Sequence, residues 1–112
     1  MKKRLVVVLA LVAAVACAAI AVPAFAATKT VKVGPQTKFG TRSLSIKRGD
    51  TVRFRWTGTL SHNVRISKGP VRKQIASART KGTVPFTFTR KGTYTVVCDV
   101  HAPEMKMTIR VG

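Results

Sequence analysis

Single apolar and polar residues alternate along short segments of this chain, and this alternation is the strongest constraint on its fold. In the segment VRFRW, the apolar residues Val52, Phe54 and Trp56 are separated by two arginines. Because successive side chains of a β-strand point to opposite faces, this period predicts strands with one buried face. No segment after residue 27 has a convincing helical period, so the chain is predicted to be all-β.

The same alternation recurs between turns marked by Gly, Pro and polar clusters. Segment 71–81 is basic and weakly patterned, and the alternation assigns it no structure. Pro85 indicates that its segment lies at a sheet edge or at a strand start. Seven or eight short strands at this spacing predict a Greek-key β-sandwich or barrel. The predicted strands are 29–33, 44–47, 52–56, 62–66, 84–88, 93–98 and 105–111.

The first 26 residues have the layout of a secretory signal. A basic start, MKKR, precedes an apolar run over 5–22, and AFA at 24–26 matches an A-x-A cleavage site. We therefore predict a signal peptide over 1–26 and one domain over 27–112. Two alternatives stay open, namely retention of the apolar run as a membrane anchor and lipid attachment at Cys17. Each places the domain in the periplasm, in the medium or at the outer face of the cytoplasmic membrane.

The chain is strongly basic, with 21 Lys and Arg against three Asp and Glu and a formal net charge of +18. Such a surface attracts acidic proteins, anionic lipid headgroups or nucleic acid. Outward bases also discourage edge-to-edge pairing of strands, so part of the charge serves solubility. The charge therefore limits the expected binding partners to anionic ones, and it does not predict the fold.

Cys98 is the only cysteine of the predicted domain, so it forms no internal disulfide. The segment CDVHAPEMKM places His101 and Met105 shortly after it, and His62 is the only other histidine. One thiolate, two imidazoles and a thioether are the donor set of a mononuclear blue-copper site. Taken singly, these residues are typical of a buried thiol, hydrogen-bonded histidines and core methionine. Their order and spacing together favour the metal site.

The spacing of the four donors has a mechanical interpretation. Cys98 ends a predicted strand with its side chain inward, and a short turn lets His101 point back toward the same space. Alternation places both Met105 and Met107 inward, with Met107 roughly 7 Å further along the strand. We therefore predict Met105 as the axial ligand and Met107 as a core residue. A metal ion that joined this loop to His62 would help to stabilise a domain with a modest core.

These segments resemble the cupredoxins, in particular the plastocyanin/amicyanin-like group. The matching stretches are SHNVRI (61–66), GTYTVVCDVHAPEMKMTIRVG (92–112) and KRGDTVRFRW (47–56), so the resemblance extends over essentially the whole predicted domain. It implies that one type 1 copper ion has three equatorial ligands, and that Asn63 bonds across to backbone near the cysteine. The implied equatorial ligands are His62, Cys98 and His101.

The ligand loop departs from the patterns of this group. Three residues separate His101 from Met105 and five separate it from Met107, whereas the related loops have two or four at this place. The axial assignment to Met105 therefore depends on the strand alternation more than on the resemblance.

The resemblance implies a carrier of single electrons between redox partners through Cu(I) and Cu(II), and no enzymatic activity. Copper holding or delivery outside the cytoplasm is the alternative, because the ligands alone do not distinguish the two. In this family an apolar rim beside an exposed histidine is the docking patch, which here implies Ala102 and Pro103 around His101. The basic surface predicts an acidic redox partner, and we further expect a monomer that associates with a membrane surface.

Nucleic acid is not an expected partner. Export separates the domain from most nucleic acid, and the aromatic residues lie on predicted inward faces, where they form no stacking platform. Trp56 and Tyr94 are interpreted as packing residues. Asp99 and Glu104 bracket the ligand loop, where they are either solvated loop residues or charges that offset the positive surface near the copper.

Overall fold

The computed structural model describes residues 26–112. The predicted signal peptide, with Cys17, lies outside the described residues apart from Ala26. The described chain forms eight β-strands and one turn of 3-10 helix, Asp99–His101. Within residues 26–112, no helix has the length and apolar character needed to cross a membrane. The strands are β1 (Thr28–Val33), β2 (Ser43–Ile46), β3 (Thr51–Trp56), β4 (His62–Lys68), β5 (Lys73–Arg79), β6 (Thr83–Thr87), β7 (Gly92–Val97) and β8 (Lys106–Val111).

The strands form two sheets that enclose one apolar core. Three strands pair in the order β1-β3-β6, and five pair in the order β2-β8-β7-β4-β5. β1 runs parallel to β3 and β2 runs parallel to β8, while the other pairs are antiparallel. Most connections cross from one sheet to the other, as in a Greek key. The predicted all-β sandwich of seven or eight strands is confirmed.

β5 is the strand that the alternation did not predict. Ala76 is its one buried residue, and its other residues are exposed or half-buried. β5 lies at the edge of the five-stranded sheet and pairs with β4 alone, so it has little surface to bury. A strand of this kind carries a weak hydrophobic period. Pro85, in contrast, lies in the edge strand β6, as predicted.

The inward residues of the predicted strands form the core. On β3, Val52, Phe54 and Trp56 are buried while Arg53 and Arg55 are exposed, as their alternation predicts. The same pattern buries alternate residues of β7 and β8. Core packing therefore fixes the direction of each side chain along these strands, including those that reach the ligand loop.

The side chain of Asp50 joins two backbone segments at the end of the sandwich where β1 and β3 begin. Its side chain is 5% exposed, and its Oδ1 accepts a 2.8 Å hydrogen bond from the amide of Ala27. Its Oδ2 accepts a 2.9 Å bond from the amide of Lys47. One carboxylate thus joins the residue before β1 to the turn between β2 and β3.

We predict that an Asp50→Asn variant loses stability in a pH-dependent way. The amides of Ala27 and Lys47 hold the pKa of Asp50 below its usual 3.8. The ionised carboxylate therefore stabilises the folded state above pH 3.8, and this stabilisation is lost as the pH falls through the lowered folded-state pKa. Thermal unfolding should show a deficit at neutral pH that shrinks below pH 3.8.

Glu104→Gln is the matched control, because Glu104 is an exposed acid. We expect this variant to unfold like the native protein across the same pH range. A deficit of Asp50→Asn that stays constant down to strongly acidic pH would show that the carboxylate charge does not stabilise this turn.

Candidate metal centre

Three side chains that can bind a metal converge at the other end of the sandwich. His62 opens β4, Cys98 directly follows β7, and His101 closes the 3-10 turn. The Sγ atom of Cys98 lies 3.8 Å from Nδ1 of His62 and 3.7 Å from Nδ1 of His101. The two Nδ1 atoms are 3.1 Å apart. The structure therefore brings together the thiol and both imidazoles that the sequence singled out.

The separation of these atoms fits one metal ion. A first-row metal lies about 2.0 Å from imidazole nitrogen and about 2.3 Å from thiolate sulfur. Three such donors spread evenly in a plane around one ion are roughly 3.5 to 3.8 Å apart by these bond lengths. The observed triangle is close to this size, and two nitrogens with one sulfur are the equatorial set of a blue-copper site. The residues present therefore fit copper.

The ligand loop is closed by its own backbone. The amide of His101 donates to the carbonyl of Cys98 (3.2 Å), and the amide of Met105 donates to the carbonyl of His101 (3.3 Å). The amide of Cys98 in turn donates to the carbonyl of Met105 (3.0 Å). These bonds position Cys98 and His101 on one small ring of backbone.

Met105 lies across from Cys98, whereas Met107 lies further along β8. The β7–β8 register pairs Val97 with Lys106 and Val96 with Met107, and the bond from Cys98 to Met105 continues this register by one residue. Both methionines are buried, as predicted. The backbone thus places Met105 at the ligand end of the strand and Met107 within the core.

The environment of His62 favours the neutral imidazole that binds metals. Burial lowers the pKa of His62, and the neighbouring imidazole of His101 lowers this pKa further, while backbone at Gln36 opposes the shift. A neutral ring keeps a lone pair for a metal. His62 is fully buried and His101 is half-buried, so the edge of His101 is the part of the donor set nearest solvent.

Asn63 ties β4 to the ligand loop. Its Oδ1 accepts a 2.7 Å bond from the amide of Asp99, the residue after Cys98. Its Nδ2 donates to Oδ2 of Asp99 (2.8 Å) and to Oε1 of Gln74 on β5 (3.1 Å). The bond across to backbone beside the cysteine is present, as the resemblance implied. The contact with Gln74 adds a third strand to this connection.

Asp99 forms an ion pair with Arg65 that was not predicted from the sequence. Nη2 and Nε of Arg65 donate to its two oxygens at 2.7 and 2.9 Å. Arg65 first, and then Asn63, lower the pKa of Asp99 to about 2. Asp99 therefore places a fixed negative charge beside the ligand loop. Glu104 is exposed and lines a groove with Lys38 and other bases.

No feature of the sequence distinguishes Arg65 from the other basic residues that are predicted to point outward. Its role depends on the β4–β7 register, which pairs Arg65 with Val97, two residues before Asp99. Trp56, interpreted from its sequence pattern as a packing residue, is buried. Its indole Nε1 also donates a 2.8 Å bond to the carbonyl of His62, which fixes the backbone of this donor.

Apolar residues are exposed in the segments that carry the two histidines. Ala102 and Pro103 are exposed, as expected for the predicted rim. Leu60 and Val100 are 43% and 56% exposed, and they are the exposed large apolar residues of the described chain. Leu60 lies in the loop before β4, two residues before His62, and Val100 lies in the 3-10 turn, next to His101. Exposed apolar surface on residues 26–112 is therefore concentrated at the metal end.

Known structures similar to this chain include variants of amicyanin. A reduced tryptophan-to-tyrosine variant is 28% identical, with a TM-score of 0.66, and the match covers 76% of this chain and 82% of that chain. A reduced Cu(I) form of a proline-to-glycine variant at pH 4 is 28% identical over the same shares, with a TM-score of 0.65. No curated protein sequence matches the chain significantly.

The family model that matches the chain describes copper binding proteins of the plastocyanin/azurin family. The match spans residues 26–112, which includes each of the eight strands and the three converging donors. Copper is the metal of this family, and its donor set agrees with the thiol and imidazoles found here. By its sequence, fold and metal centre, the chain belongs to the plastocyanin/azurin family of copper-binding proteins.

Proposed function

We propose that this protein carries single electrons between redox partners outside the cytoplasm. The observation that supports this most directly is the meeting of the Cys98 thiol with Nδ1 of both histidines, in a chain of a copper-binding family. A bound copper ion supplies the one-electron change between Cu(I) and Cu(II). The proposed ligands are His62, Cys98, His101 and Met105.

The chain's own residues keep these donors in place. The Trp56 indole holds the backbone of His62, and Asn63 holds the backbone next to Cys98. Preorganised groups need little movement when charge changes at the site, and this lowers the cost of each transfer. A rigid donor set favours repeated electron transfer over release of the metal, which is why we place carriage before copper delivery.

We propose Met105 as the axial donor because the backbone brings it next to Cys98. The amide of Cys98 bonds the carbonyl of Met105, and the side chain of Met105 is fully buried. A thioether is the weak axial donor typical of such sites. Met107 pairs with Val96 in the sheet, which supports its assignment to the core.

The metal end also suggests where electrons leave and which partner receives them. The half-buried His101 lies at the end of the sandwich where Leu60 and Val100 are exposed. Apolar centres with charged surroundings are typical of transient protein contacts. We propose that an acidic redox protein docks on these exposed apolar residues, guided by the 18 bases against three acids in residues 27–112, a net charge of +15.

Export is part of the proposal and rests on the leader. Cleavage after Ala26 would convert the amide of Ala27 into an ammonium group, 2.8 Å from Oδ1 of Asp50. The bond that starts β1 would then become an ion pair, so cleavage at this position is compatible with the fold. The mass of the exported protein tests it, and a mass that includes residues 5–22 would show that the apolar run is retained.

We expect Cys98→Ser to abolish the copper centre. The native protein with added Cu(II) should show intense visible absorption from thiolate-to-copper charge transfer, and the variant should show none. Copper affinity should fall by more than the roughly 10- to 100-fold typical of changes outside the ligand set. Absorption and copper titration measure both effects.

Thr95→Ser is the matched control, because Thr95 lies on the same strand and is half-buried. It should keep the native spectrum. Unchanged colour and affinity in Cys98→Ser would refute the metal centre. A native protein that binds copper with the expected colour but readily gives up Cu(I) to a chelator, with slow self-exchange, would instead favour copper delivery.

Exchange of each buried methionine for leucine should identify the axial donor. Met105→Leu and Met107→Leu are matched in volume, and each should cost less than about 1.5 kcal/mol of folding stability. We expect only Met105→Leu to change the visible spectrum and the reduction potential. If Met107→Leu changes them and Met105→Leu does not, the axial assignment is wrong.

Electron transfer with an acidic redox protein should slow as salt is added. Electrostatic steering accelerates association by roughly 10- to 1000-fold, and salt screens it. Stopped-flow rates from low to high ionic strength measure the effect, with a neutral small-molecule oxidant as the control. Rates that stay flat with the acidic protein would contradict a charge-guided docking.

A further inference from the structure

The sandwich has a second end, opposite the metal centre. β7 begins at Gly92 and ends beside Cys98, while β4 begins at His62 and ends at Lys68. Because these two strands are antiparallel, the loops before β7 and after β4 lie together, away from the metal. The end of β2 and the residue before β1 lie at the same end, as the bonds to Asp50 show.

Exposed bases dominate this end, which we call the basic pole. They lie in three turns, between β2 and β3, between β4 and β5, and between β6 and β7, and at the last residue of β4. Four spacings between the five strands of the larger sheet make the pole roughly 20 Å wide. The bases that define the basic pole are Lys47, Arg48, Lys68, Arg72, Arg90 and Lys91.

The acids do not balance the basic pole. Asp99 and Glu104, two of the three acids in the sequence, lie in the loop at the metal end. The third, Asp50, is buried and accepts bonds from two backbone amides. Asp50 lies next to Lys47 and is the carboxylate side chain of the described residues at this end, so the six exposed bases of the basic pole keep a large excess of positive charge.

The chemistry of this surface favours a lipid headgroup layer over the other anionic partners. Of the aromatic residues near this end, Phe88 and Tyr94 are 1% exposed and Phe86 is half-buried, with Lys73 over its ring, so the basic pole has no exposed platform for stacking bases. The exposed large apolar residues, Leu60 and Val100, lie at the metal end, so the basic pole lacks the apolar centre typical of a protein interface. A broad group of bases on turns suits a flat anionic surface.

The path of the chain gives an independent reason. The apolar run 5–22 joins the domain through Ala27, whose amide is bonded to Asp50 at this same end. Five residues, 23–27, span at most about 18 Å. Wherever the apolar run is inserted in a bilayer, during export or afterwards, the basic pole is thus the end of the domain nearest to the lipid.

We propose that the basic pole binds anionic lipid headgroups and holds the domain with its copper end facing away from the membrane. The metal centre then stays open to a partner while the opposite end rests on the lipid. This inference does not depend on copper or on electron transfer, because it rests on the charges and the chain path alone.

The test compares two charge-matched variants of the copper-loaded exported protein. The pole variant replaces bases of the basic pole with glutamine, and the control variant replaces the same number of exposed bases elsewhere. Each loses two lysines and two arginines, so the net charges are equal. The pole variant carries Lys47→Gln, Arg48→Gln, Arg90→Gln and Lys91→Gln. The control variant carries Lys32→Gln, Lys38→Gln, Arg42→Gln and Arg55→Gln.

Co-sedimentation measures partitioning onto phosphatidylcholine vesicles and onto vesicles of equal parts phosphatidylcholine and phosphatidylglycerol. The partition coefficient on the anionic vesicles is divided by that on the phosphatidylcholine vesicles. Binding by a retained leader contributes to both coefficients and cancels in this ratio. At about 1 kcal/mol for each of the four bases removed near an anionic surface, we expect the pole variant to lower this ratio by roughly 1000-fold. The control should lower it less than about fivefold, since its charges face away from the lipid.

Both variants should keep the native thermal unfolding and copper spectrum, since the replaced side chains are exposed. Equal losses in the two variants would show that net charge alone drives binding, and would overturn the proposal. A native ratio near one would overturn it as well. So would tighter binding of the basic pole to an oligonucleotide or to polyglutamate than to the anionic vesicles, or displacement from vesicles by dilute inorganic phosphate.

Discussion

The antiparallel pairing of β4 with β7 is the interaction on which the metal centre depends. Its register pairs Arg65 with Val97 in the middle of the five-stranded sheet. Continued toward the strand ends, this register places Cys98 opposite Val64, and His62 lies two residues further along the same face of β4. His62 and Cys98, 36 residues apart, become neighbours for that reason, with Nδ1 and Sγ 3.8 Å apart. A metal bond between them ties two strands that the sheet has already aligned.

Polar side-chain contacts around the ligands add to the positioning of these ligands by the strand register. Asn63 is buried, and both ends of its side-chain amide are bonded, which satisfies a polar group that would otherwise destabilise the core. Arg65 holds Asp99 from the solvent side of the same strand, though this exposed pair contributes modestly to stability. The two contacts together restrain the turn that carries His101. Contacts within the protein thus determine the conformation of the ligand loop and bring the donor atoms close to one another.

The two ends of the sandwich have different surfaces. The metal end combines the half-buried His101 with exposed apolar residues and with both exposed acids of the described chain. The other end carries bases on three turns and the connection to the leader. A sandwich with all its strands along one axis separates such surfaces naturally, because each loop must lie at one end or the other. An electron carrier needs one end free for its partner, so the second end is available for another contact.

The sequence by itself determined the fold class, the direction of most side chains and the identity of the donors. Alternation is a local property, because the pleat sends Val52 inward and Arg53 outward whatever the strand pairs with. The predicted domain has one cysteine and two histidines, so few other residues were candidates for the thiolate and imidazole ligands. Only the tertiary structure decided that 73–79 is an edge strand, that Arg65 pairs with Asp99, and that Met105 lies beside Cys98. Each of these depends on the register between strands distant in sequence, which a period of two within one strand does not encode.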